Sequence, residues 1–219
     1  MDSTIVWQHI DRERADLADI LDALPPQAWL QPSLCKGWSV RDVGAHLTFA
    51  HARMRDVAWP AMRTGFRYNA MIKYAAVNSR LTHEQIVDTL RSFVGSRRRA
   101  PFVTELEPLL DILVHTQDIC VPLHIEHAMP ADAAVAAVDR VLSLPWHMRL
   151  WKPPSGVRLV ATDADWSYGD GIVVEAPIHA HLLRLTGRQS PPDQTRSSVP
   201  PAASTRIGEG GSRGPDTPG

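Results

Sequence analysis

Asp111 and His115 stand at i and i+4 in the segment LEPLLDILVH. On a helix that spacing puts both side chains on one face, with Cβ atoms about 6 Å apart. A carboxylate and an imidazole at that reach are ligand types for a divalent cation. A third, His46, lies far upstream in another segment of helical pattern, and facing helices of a bundle turn such positions toward a common interior point. Two imidazoles and one carboxylate leave a coordination position open, as catalytic zinc sites do. Nickel, iron(II) and manganese tolerate the same ligands, so the set specifies a divalent metal with zinc as the first expectation. Asp111 is flanked by Leu109, Leu110, Ile112, Leu113 and Val114. A carboxylate facing an apolar interior needs a partner or a metal. Spacing alone also suits an Asp and a His that merely hydrogen-bond each other, so the structural alternative stays open at this point. Asp118, three residues beyond His115, can hydrogen-bond a ligand histidine from behind. Asp42, one turn before His46, can do the same or can cap its helix. His51 falls about 140° further round the helix from His46 and makes a poor co-ligand.

Four long helical patterns would position these residues. The first covers about 3–23, with Ile10, Leu17 and Leu21 near helical spacing and Pro25–Pro26 ending it. The second opens at Ser39, where Ser39 and Asp42 form a capping box ahead of Val43, Leu47, Ala50 and Met54, and reaches toward Pro60. The third runs over about 82–98 with Thr82 as N-cap, and the fourth over about 102–120. Residues 131–148 read as a further helix. The stretch GVRLVATDADWSYGDGIVVEAP then alternates β-branched and polar residues around D-G and G-D turns. A last short helix over about 177–186 meets Gly187. The expected fold is mostly α: an up-down four-helix bundle (1–125), a small C-terminal α+β region (126–188), and a Pro/Gly/Ser-rich tail (189–219) too poor in large apolar side chains to order.

The chain has 219 residues, 44% of them apolar, and a net charge of −1. It is long enough to bury a core, and a near-neutral surface argues against nucleic acid or an anionic membrane as partner. No apolar run approaches a membrane span, the Met1 end lacks a signal peptide's apolar stretch, and Cys35 and Cys120 suggest no disulfide framework. A cytoplasmic protein, monomer or homodimer, is the expectation.

The other chemically able residues read as structural. His124 and His127 follow the fourth helix in an expected exposed loop, and His179 and His181 are expected at the surface of the last helix. Trp38, just before the Ser39 cap, should anchor by packing, and Trp166 should fill the core of the C-terminal region. Arg97–Arg99 suit a solvated helix end, and Cys120 a buried structural thiol.

Three segments carry a resemblance. WLQPSLCKGWSVRDVGAHL (29–47), LLDILVHTQDICVPL (109–123), and VRLVATDADWSYGDG (157–171) with LLRLTGR (182–188) resemble, in this order, signatures of the mycothiol-dependent maleylpyruvate isomerase-like family of DinB-like bundles. The resemblance implies metal ligands at His46, Asp111 and His115, with Asp111 a shorter carboxylate than the Glu of the isomerase. It also implies mycothiol as a small-molecule thiol cofactor. The metal would deprotonate the thiol for attack on a small electrophile, in an isomerase or a thiol S-transferase. Two departures are visible: Cys120–Val121 where relatives often have two arginines after Gln-Asp-Ile, and His124 where a Gly usually follows Pro-Leu. They keep a second reading in play, a non-catalytic metal- or ligand-binding bundle. Metal-dependent hydrolysis lacks a general base at convincing spacing.

Overall fold

The computed structural model describes residues 1–51, 68–99, 103–144, 155–188 and 196–197. Helix α1 (Ser3–Asp22) starts where the Asp2 side chain accepts from Thr4 N and stops at Ala23, ahead of the two prolines. Its buried residues change company along its length. Val6, Trp7 and Ile10 enter one apolar core; Leu17, Ala18 and Leu21 enter a second. Between them the helix buries Glu13 and Arg14.

Helix α2 (Val40–Leu47) opens on the Ser39/Asp42 capping box and passes into a 3-10 turn at Thr48–His51; residues 52–60 of the expected longer helix lie outside the described residues. Helix α3 (Tyr68–Val77) has no counterpart in the sequence reading. Helix α4 (His83–Ser92) opens on the Thr82/Gln85 capping box and ends at Phe93, short of the expected 98, leaving Val94 exposed. Helix α5 (Leu106–Cys120) begins later than expected, where Thr104 N and Oγ both donate to Glu107 Oε2. Helices α1 and α2 each pack on α4 and α5, which makes the four-helix bundle. Gly44 permits the α2–α4 approach, since a Cβ there would sit 3.3 Å from Ile86 Cγ2.

The C-terminal region holds α6 (Ala131–Ser143), β1 (Val157–Ala161), β2 (Ser167–Tyr168), β3 (Ile172–Ala176), α7 (Ile178–Leu185) and β4 (Arg196–Ser197). Residues 145–148 of the expected longer helix lie outside the described set. The sheet order is β2-β1-β3-β4, with β1 and β3 parallel in the register Leu159↔Val174 and the outer pairs antiparallel. Gly171 takes φ +123 beside the Gly156 backbone, where a Cβ would come within 2.2 Å of the Gly156 oxygen, so only glycine fits this turn. Helix α7 is followed by Gly187 at φ +81. Of the expected disordered tail, only Arg196–Ser197 falls among the described residues, and it pairs with β3.

One core joins the two regions: Val6, Trp7, Ile10, Leu109 and Leu113 pack with Ala133, Ala137, Val141, Ile178 and Leu182. Among the described residues no helix is long and apolar enough to cross a membrane.

Candidate metal centre

The capping box fixes where α2 begins and therefore which way His46, in its last turn, points. Helix α5 lies against α2 and carries Asp111 and His115 one turn apart. Asp111 Oδ1 stands 3.4 Å from His46 Nε2 and 3.4 Å from His115 Nε2. All three donor atoms lie within 4.8 Å of one another. Donors about 2.1 Å from a tetrahedral ion sit about 3.4 Å apart, so the two measured edges match the span of a zinc-sized cation. The donor types, and the two edges to Asp111, therefore suit a divalent metal.

Exposure differs from the sequence expectation at one ligand. The Asp111 side chain is 39% exposed, against 14% for His46 and 12% for His115. Asp111 borders a small cleft of about 280 Å³, including its open mouth, that Leu47, Ala50, Phe93 and Pro108 also line. Its apolar sequence neighbours face the cores while Asp111 itself faces this cleft.

Behind His115 lies a support of three groups. His115 Nδ1 and Asp118 Oδ2 are 2.8 Å apart, and Asp118 is wholly buried. Arg188, just beyond α7, grips Asp118 with both arms, Nε to Oδ1 at 2.9 Å and Nη2 to Oδ2 at 2.6 Å. Its Nη1 donates to Thr186 O. With Nδ1–H given to Asp118, His115 turns Nε2 toward Asp111 and His46, the arrangement found behind metal-bound histidines. Arg188 was missed in the sequence reading: it stands 70 residues from Asp118, and only its place in LLRLTGR set it apart.

The charges follow from these contacts. Burial pushes the Asp111 carboxyl up, but the neighbouring His46 and His115 outweigh it and hold it far below the usual carboxylate range. Burial pushes the His115 imidazole down; its hydrogen bonds to Asp111 and Asp118 outweigh that and raise it to about 9. Asp118 is likewise lowered, its burial overcome by His115 and Arg188. The raised His115 imidazole favours its protonated form beside Asp111 and Asp118.

Other candidates resolve individually. Asp42 spends its carboxylate on Ser39 N and Oγ, as a cap. His51 packs against Phe93 with the rings tilted at 38° and their centroids 3.8 Å apart, and stands outside the ligand cluster. His127 is not an exposed loop residue: its Nε2 is 3.0 Å from the buried Glu13. His181 is not at the surface either; it is fully buried with Nε2 2.9 Å from Val160 O. His124 is exposed, and it takes φ +55, a left-handed conformation that favours glycine. Arg97 is tied down by Asp11 at 2.6 Å and lies over the Trp7 ring. Trp166 packs partly buried against the shared core and donates to Asp139. Cys120 is buried, and that burial pushes its thiol up to about 12. Both cysteines are free. Trp38 touches the site itself: its ring stands near-perpendicular to His46, at 78° with 5.4 Å between centroids, and lies parallel to His115 at 6.5 Å.

Fold and site together define a helical-bundle protein with a two-histidine, one-carboxylate candidate metal centre. Residues 10–105 match the mycothiol maleylpyruvate isomerase N-terminal domain. His46 lies inside the matched stretch, whereas Asp111 and His115 lie beyond it. The crystal structure of the mycothiol-dependent maleylpyruvate isomerase superposes with a TM-score of 0.60 at 14% identity, over 90% of this chain and 93% of that one. A histidine-to-alanine mutant of the isomerase gives 0.59 at 15% identity with the same coverage. At such identities the likeness establishes a shared fold, which extends through the C-terminal region. No curated protein sequence matches.

Proposed function

We propose that this chain is a cytoplasmic, divalent-metal enzyme that uses mycothiol, acting as a maleylpyruvate-isomerase-like isomerase or as a thiol S-transferase on a small electrophile. The observation that carries the reading is the convergence of His46 Nε2, Asp111 Oδ1 and His115 Nε2 from two helices, with His115 backed by Asp118 and Arg188. The metal, with zinc the first expectation, would supply Lewis acidity that keeps a bound thiol ionised near neutral pH. Asp111 contributes the negative charge that offsets the cation. Asp118 and Arg188 hold the His115 ring at one tautomer, so no reorientation is needed when a ligand arrives.

A second reading, a metal- or ligand-binding bundle without a reaction, is favoured by one feature: Cys120 and Val121 stand where relatives often carry two arginines. Calorimetric titration of the metal-loaded protein with mycothiol separates the two. Saturable, metal-dependent binding, followed by turnover of maleylpyruvate or transfer of the thiol to an electrophile, supports the enzyme. Metal without thiol binding supports the second reading.

A further inference from the structure

His46 and His115 face the same point, yet they are supported differently. His115 has Asp118 behind its Nδ1. The Nδ1 of His46 is buried and has no hydrogen-bond partner among the described residues. If Nε2 of His46 coordinates a metal, its proton resides on Nδ1, and a buried N–H without an acceptor is costly. The nearest carboxylate on its own helix, Asp42, is committed to Ser39. What does lie against His46 is Trp38, with the two ring planes at 78°.

We propose that Trp38 is a positioning residue of the metal centre: its indole face receives the Nδ1–H of His46 while its plane backs the His115 ring, so that one side chain orients both ligand imidazoles. Edge-to-face contact is a favoured geometry for aromatic rings, and an N–H over a π face is a weak hydrogen bond that a buried, otherwise unpaired donor can use. The parallel placement on His115, within 4°, limits rotation of the second ring. The loop before α2 is built to hold the indole still. Trp38 O accepts from Ser33 N and Ser33 Oγ, both at 2.9 Å, and Trp38 N donates to Cys35 O at 3.0 Å. A bridge between Pro32 and Ser39 then closes the loop immediately beside the helix cap.

This inference rests on the metal reading above, and its test separates the two. Zinc affinity is measured by chelator competition for the wild type, Trp38→Phe and Trp38→Leu, with folding of each metal-free variant checked by circular dichroism. The imidazole N–H resonances of the zinc-loaded wild type are recorded by NMR. Removing such an outer partner costs about 10–100-fold in affinity. The expectation is a loss of tenfold or more for Trp38→Leu and about threefold or less for Trp38→Phe, which keeps an aromatic face. The His46 Nδ1–H signal should be displaced upfield by the indole ring current, and this reading decides the matter if Trp38→Leu does not fold. Unchanged zinc affinity in a folded Trp38→Leu, an equal loss in Trp38→Phe, or an undisplaced Nδ1–H each overturns the inference while leaving the metal centre standing. A wild type that binds no divalent metal overturns both.

Discussion

Replacing Arg188 by Met keeps the aliphatic stem but removes the guanidinium from Asp118. Asp118 is then a wholly buried carboxylate whose remaining ion-pair partner among the described residues is His115. Breaking a buried ion pair from one side costs about 3–5 kcal/mol, and the 11% exposure of Arg188 lets some water in, which favours the lower end, about 3 kcal/mol. For a chain of this size each kcal/mol is worth about 2–4 °C of Tm, so the expected fall is about 6–12 °C. His115 should also lose its fixed orientation, with metal affinity dropping about tenfold. The assay is thermal unfolding of the metal-free protein followed by zinc binding with a competing chelator. Adding Asp118→Asn to Arg188→Met removes the stranded charge and should return most of the lost Tm, because the two changes act on one pair. A single variant that melts within about 1 °C of wild type and binds zinc normally would refute the reasoning, as would a double variant less stable than the single one.

The raised pKa of His115, about 9, means that metal must displace a proton at neutral pH; calorimetry in buffers of different ionisation enthalpy should show proton release, and affinity should rise with pH up to about 9. In the metal-free protein the same group stabilises the fold fully below its unfolded value of about 6.5 and loses that contribution as pH climbs through about 9. His127, raised by its bond to Glu13, behaves alike: its contribution is present below about 6.5 and fades as pH rises through the raised value, so His127→Gln should cost stability at pH 6 and much less at high pH, read as Tm against pH. Cys120, pushed to about 12, is almost wholly un-ionised at pH 8, so a thiol reagent under native conditions should label Cys35 first and Cys120 only on unfolding.

Local signals were readable in the sequence wherever the physics is local. The Ser39/Asp42 capping box and the Thr82 N-cap stand where the residue types put them, and folding adds Gln85 to the second as the other half of a capping box. The i, i+4 pair on α5 also stands where the residue types put it. Helix α3 escaped because its segment YNAMIKYAAV spreads apolar residues around the helix and leaves no face to detect. The ends of α4 and α5 moved because a periodic pattern does not stop where hydrogen bonding stops: Phe93 ends one helix, and the Thr104–Glu107 clasp begins the other. The remaining errors concern partners that only folding supplies. His127 is buried by Glu13, 114 residues away, and His181 by a strand carbonyl, 21 residues away. Arg188 reaches Asp118 across 70 residues. Trp38 read as a packing anchor because nothing in its spacing connects it to His115.

The central claim is that His46, Asp111 and His115 hold a divalent ion. Metal content of the purified full-length chain, measured by elemental mass spectrometry beside a His46→Ala/His115→Ala double variant, tests it most directly. About one equivalent of zinc, or of nickel, iron or manganese, in the wild type and none in a folded double variant is the predicted result. A wild type that neither retains nor takes up a divalent metal, or a double variant that binds it equally well, would contradict the account.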